Sequence, residues 1–113
     1  MENRINLQEL DAHLLLLGVR ESISGTEMLR VAVQEWEPGM STTKELYPIV
    51  ARKCGSTPAR VERAMRHAIE TAFNRGSIDT IMGLFGYSLS PDKGKPTVSE
   101  FVARMARVCS NED

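Results

Sequence analysis

A chain of 113 residues, 42% hydrophobic and 26% charged, can bury one core but is too short for two ordinary domains, so residues 1–113 are read as a single domain. Its longest apolar patch is Leu14 to Leu17, far below the roughly 18 to 20 residues of a membrane span, and no basic region leads into it; a membrane helix and a signal peptide are not expected, and the protein is expected in the cytoplasm. The two cysteines, Cys54 and Cys109, stand far apart with no CxxC and no histidine at finger spacing, which predicts reduced thiols and no metal or other cofactor.

The formal net charge of -1 hides an uneven distribution. Residues 1–40 carry -4, residues 41–75 carry +4 and residues 76–113 carry -1. A positive block between acidic flanks suits a domain that touches phosphate with one face, although a solvated helix face has the same look.

In chain order, Leu7 to Leu17 reads as a first helix closed by Gly18, and Thr26 to Trp36 as a second, ended by Pro38 and Gly39. Ser41 or Thr42 caps a third helix to about Lys53, with Leu46, Ile49 and Val50 available for the core. Pro48 lies inside that stretch, where it removes a hydrogen bond and crowds the preceding turn; the helix is expected to kink near Lys44 or to begin later than its cap. After the turn Cys54-Gly55-Ser56-Thr57 comes a fourth helix, with Thr57 as N-cap, Pro58 in the first turn and Gly76 just past the end. Ser77 caps a short helix from Ile78 to about Phe85, and the stretch Tyr87 to Pro96 is irregular. Thr97-Val98-Ser99-Glu100 is a capping box opening a last helix, and the tail from Ser110 is expected to fray. With no alternating strand pattern to compete, the fold is all-α, about six helices with an embedded helix-turn-helix over about 42–75.

The fourth helix is the most informative segment. At 100 degrees per residue, Val61, Ala64, Met65, Ala68, Ile69 and Ala72 share one arc, while Arg60, Arg63, His67 and Asn74 cluster opposite. A helix, a short glycine-containing turn and a second helix with outward cations is the arrangement that puts a recognition helix in the DNA major groove. There, Arg60 and Arg63 can each offer a planar fork to guanine O6 and N7, and Glu62 can accept from a cytosine amino group, although it lies roughly 100 degrees off the main stripe. Ser41, Thr42 and Thr43 at a helix start offer hydroxyls and backbone N–H groups to phosphate, with Lys44, Arg66 and His67 adding charge. The plainer alternative is that Arg60, Arg63 and Arg66 are solvated and paired with Glu62 or Glu70 at helical spacing, and that His67 is an ordinary surface histidine. Trp36, Phe73, Phe85 and Phe101 fall within apolar periods and read as core. Neither His13 nor His67 stands at a nucleophile spacing and no glycine-rich phosphate loop is present, so an enzyme is not expected.

The runs Thr43-Lys44-Glu45-Leu46-Tyr47-Pro48, Arg60 to Glu70 (RVERAMRHAIE), Leu84-Phe85-Gly86-Tyr87, and Lys95-Pro96-Thr97 with Ser99-Glu100-Phe101 resemble the C-terminal effector domain of the sporulation stage zero protein A family of response regulators. The similarity spans about Leu10 to Val108. It implies an all-helical domain whose helix-turn-helix binds double-stranded DNA at a box containing TGTCGAA, often in tandem copies that pair two domains, to regulate transcription. By that resemblance, Arg60, Glu62 and Arg63 reach base edges, and Arg66 and His67 lie near phosphate. The segment Thr80 to Leu89, with Phe85, matches the surface that meets the sigma subunit of RNA polymerase, and Pro48 is a normal feature. Two departures stand out. The family usually carries a phosphoacceptor receiver domain ahead of this one, whereas only about nine residues precede the similar region, as in a separated effector domain or a stand-alone relative. The turn Gly55-Ser56-Thr57-Pro58-Ala59 replaces a Thr-Thr-Ala-Ser type of sequence, removing a hydroxyl beside Arg60 that would touch phosphate. A protein-interaction module that keeps the fold, has lost DNA binding and modulates a full-length regulator is the alternative function.

Overall fold

The computed structural model describes residues 4–19, 24–75, 78–85 and 95–111; Gly76, Ser77 and Leu89 lie outside them. Six α-helices follow one another: α1 (Leu7–Leu17), α2 (Ser24–Glu35), α3 (Tyr47–Cys54), α4 (Pro58–Arg75), α5 (Ile78–Phe85) and α6 (Val98–Val108), with a π-helical turn (Thr42–Leu46) leading directly into α3. No helix among the described residues is long and apolar enough to cross a membrane.

The helix ends follow local chemistry. Asn6 accepts the Glu9 N–H at 3.0 Å to open α1, and Gly18, at φ 89°, takes the left-handed conformation that closes it. The capping box of α6 is complete in both directions: Thr97 Oγ1 accepts from the Glu100 N–H at 3.1 Å, and Glu100 Oε1 accepts from the Thr97 N–H at 2.8 Å. The second helix begins at Ser24, two residues before the expected start, because Gly25 and Thr26 are buried against the rest of the chain rather than left as a capping loop.

Pro48 has its effect one turn earlier. The Leu46 N–H bonds back to the Ser41 carbonyl at 3.0 Å and the Tyr47 N–H to that of Thr42, both five residues back, so the chain widens just before the proline. Pro48 then sits in the first turn of α3, where it has no intrahelical N–H bond to lose. The expected kink near Lys44 is therefore a π turn.

Buried residues from all six helices join one apolar cluster. α2 packs most extensively on α4, and α3 also packs against α4, so the fourth helix is held from two sides. At the other end of α4, three rings lock α4, α5 and α6 together: Phe73 meets Phe85 edge-on at 5.3 Å between centroids, Phe85 stacks on Phe101 at 5.6 Å, and Phe73 stands 6.4 Å from Phe101. Arg104 on α6 donates from Nε to the Leu84 carbonyl at 2.6 Å, satisfying an acceptor at the end of α5. The tail does not fray at Ser110. Ile5 and Ser110 form an antiparallel bridge, with the Asn6 N–H on the Cys109 carbonyl and the Asn111 N–H on that of Arg4, both at 2.8 Å, so backbone pairing holds the chain as far as Asn111.

Candidate nucleic-acid interface

α3, the turn 55–57 and α4 form the helix-turn-helix. Gly55, at φ 64°, lets the chain reverse out of α3, and the N–H groups of Gly55 and Ser56 both return to the Ala51 carbonyl, as in a glycine-terminated helix. Thr57 Oγ1 then accepts from the Arg60 N–H at 3.3 Å. The hydroxyl that the sequence placed at the helix start thus fixes the first turn of α4, which carries Arg60.

The amphipathic pattern holds in three dimensions. Val61, Met65, Ala68, Ile69 and Ala72 are buried, whereas Arg60, Arg63, Arg66, His67 and Asn74 are exposed. Electrostatic pairing divides the cations in a way that spacing alone left open. Arg66 Nη1 lies 3.4 Å from Glu62 Oε1, and Glu70 is engaged by Lys95 at 3.3 Å. Arg60 and Arg63 form no ion pair among the described residues. The two candidate base readers therefore keep their full donor set, while Arg66 shares its charge with a carboxylate one turn back. Burial pushes the Tyr47 phenol of α3 above its ordinary value, the Glu62 charge adds to that shift, and the Arg66 charge opposes it.

The π turn supplies a second group of candidates. Ser41 Oγ accepts the Lys44 N–H at 3.1 Å and its own N–H donates to Glu45 Oε1 at 2.9 Å, so Ser41 is occupied as a cap. The Thr42 hydroxyl donates to Ser99 Oγ at 3.0 Å. The first-turn N–H groups of Thr42 and Thr43 have no intrahelical acceptor, and the exposed Lys44 stands beside them. Ser99 is a residue that the sequence reading missed at this place. It belongs to the first turn of α6, 57 residues from Thr42, and its capping-box context marks a helix start but says nothing about which element that start adjoins.

Of the residues matched to a polymerase surface, Thr80 is half-buried on α5 and Leu89 lies outside the described residues. Phe85 is only 3% exposed and belongs to the ring cluster, so its side chain braces α5 from inside. Cys54 and Cys109 are free thiols. Burial pushes Cys109 up to about 11, with the Glu9 charge adding to it, and raises Cys54 in the same direction, so neither is an activated nucleophile.

The sequence model of the family described as "Sporulation initiation factor Spo0A C terminal" matches residues 11–108. The chain belongs to that family. It is a DNA-binding effector domain of the sporulation-regulator type, in a family of transcription-factor domains rather than enzymes.

Proposed function

With that family as premise, we propose that residues 1–113 act as one unit that reads a TGTCGAA-type box by inserting the first two turns of α4 into the major groove. The observation that carries this reading is the pair Arg60 and Arg63, exposed on consecutive turns and free of any carboxylate among the described residues, on a helix seated from behind by α2 and α3. Each arginine can donate two parallel hydrogen bonds to a guanine edge. Glu62 has a smaller part, orienting Arg66. Thr43, Lys44 and His67, with the N–H groups of the π turn, take phosphate contacts that set the register, and Ser41 and Thr42 shape that turn. Pairing of two copies on tandem boxes and a contact with the polymerase sigma subunit through the surface around α5 and Thr80 belong to the same reading, which places the domain's action in the cytoplasm.

The test is fluorescence anisotropy with a labelled duplex carrying TGTCGAA and a scrambled control at two salt concentrations. Binding to the intact box is expected to be tighter and to weaken steeply as salt rises. Arg63→Ala is expected to cost about 1 to 3 kcal/mol on the intact box and much less on the scrambled one. Equal losses on both duplexes would remove base reading from Arg63. Binding indifferent to salt, or absent, would favour the interaction-module alternative.

A further inference from the structure

A cavity of about 360 Å³ opens between the paired chain ends, the end of α2 and the last turns of α6; among the described residues, none from α3 or α4 lines it. Ile5 and Ala106 are buried in its wall, Trp36 is half-buried beside them, and Arg4 and Arg107 stand exposed around it. Backbone pairing holds the two arginines in place. The bridge between Ile5 and Ser110, with the Asn111 N–H on the Arg4 carbonyl at 2.8 Å, fixes Arg4 next to the end of α6 that carries Arg107.

The polar chemistry of the groove is lopsided. Arg107 has no ion pair among the described residues, the Trp36 indole N–H has no acceptor among them, and Arg4 reaches only an exposed Glu37 at 3.7 Å. Guanidinium and indole groups donate and cannot accept, and Ser110, the other polar residue of the lining, has a hydroxyl that can do either, so among the described residues the lining side chains offer more donors than acceptors above an apolar wall. Its complement is an acceptor-rich anion carried on an apolar body, and the volume lies near the small end of the roughly 300 to 1,000 Å³ typical of ligand sites.

We propose that this groove binds a carboxylate borne on a branched or aromatic apolar group, with Arg107 and Arg4 holding the carboxylate and the Trp36 face covering the apolar part. The ligand is either a free small acid or the C-terminal residue of a peptide. The site does not depend on DNA reading.

Trp36 is the only tryptophan in the chain, so its emission reports this site alone. The experiment titrates the full chain with N-acetyl-leucine, with N-acetyl-leucinamide, and with a short uncharged peptide ending in leucine as free acid or as amide. Both free acids are expected to give a saturable change in Trp36 emission and both amides little. A tighter peptide acid points to a chain end as the natural ligand, and equal affinity to a small acid. Arg107→Gln is expected to weaken the free acids about tenfold or more, with Arg4→Gln in the same direction. Because both side chains are exposed, thermal unfolding should match the parent and separate a binding defect from a folding one. No saturable change, equal response to acid and amide, or undiminished binding in both variants would overturn the proposal.

Discussion

A methyl group added at Gly25 should unseat α4. A Cβ at that position would lie 2.3 Å from the Ala64 carbonyl oxygen, 2.9 Å from its carbonyl carbon and 3.0 Å from Ala68 Cβ. Two of these three atoms are backbone, so no rotamer change can clear the space, and α2 and α4 must part by about 1 Å where they touch. Overpacking of this kind costs about 1 to 3 kcal/mol. Alanine is a better helix former than glycine by up to about 1 kcal/mol, but Gly25 is in the first turn of α2, where that gain is small. The net expectation for Gly25→Ala is a loss of about 1 to 2 kcal/mol, or a fall in Tm of roughly 5 to 15 °C for a domain of this size. Gly83→Ala is the matched control. Gly83 is an exposed helical glycine in α5 with open space where its Cβ would go, so the same change should raise stability by about 0.5 to 1 kcal/mol. Thermal melts of both variants beside the parent, followed by far-ultraviolet circular dichroism, decide the matter. A Gly25→Ala protein melting at or above the parent would refute the close approach of the two backbones, as would a Gly83→Ala protein that loses as much. Because α4 carries Arg60 and Arg63, and Gly25 abuts Ala64 and Ala68 on that helix, Gly25→Ala should also weaken DNA binding at temperatures where the variant is fully folded.

Two further outcomes follow from the core. Phe101 is fully buried between the rings of Phe73 and Phe85, so Phe101→Ala should cost about 3 to 5 kcal/mol in urea unfolding, and a loss below about 1.5 kcal/mol would mean that the ring cluster does not hold α5 and α6 together. Cys109, raised from an ordinary value of 9.0 to about 11 by burial and by the Glu9 charge, favours folding while it stays neutral. Its contribution, about 2 to 3 kcal/mol at most, is present in full below about pH 9 and fades as the pH rises through about 11. The stability difference between the parent and Cys109→Ala, measured by urea unfolding from about pH 8 upward, should therefore shrink in alkali; a constant difference would contradict the shift.

Helix existence, most helix ends and the amphipathic division of α4 were legible in the sequence because they depend on groups within a turn of one another. Thr57 caps the Arg60 N–H three residues on, Thr97 and Glu100 satisfy each other, and Val61, Met65 and Ala68 share a face through the helical period. Even the disturbance at Pro48 was visible from its missing N–H, although not the π turn that absorbs it. What depended on distant partners was decided only by tertiary packing. Spacing offered Arg66 two carboxylates of its own helix, Glu62 and Glu70, but Lys95 arrives from 25 residues away and takes Glu70, so Arg66 pairs with Glu62. Phe85 turned inward because Phe73 and Phe101 offer it rings on two other helices, and Ser99 joined the π turn because α6 starts beside Thr42. Backbone hydrogen bonding and side-chain periodicity act over three to five residues, so one stretch of sequence specifies them. A competition between partners on different helices is settled by which groups the assembled core brings within a few ångströms, and that information is spread over the whole chain.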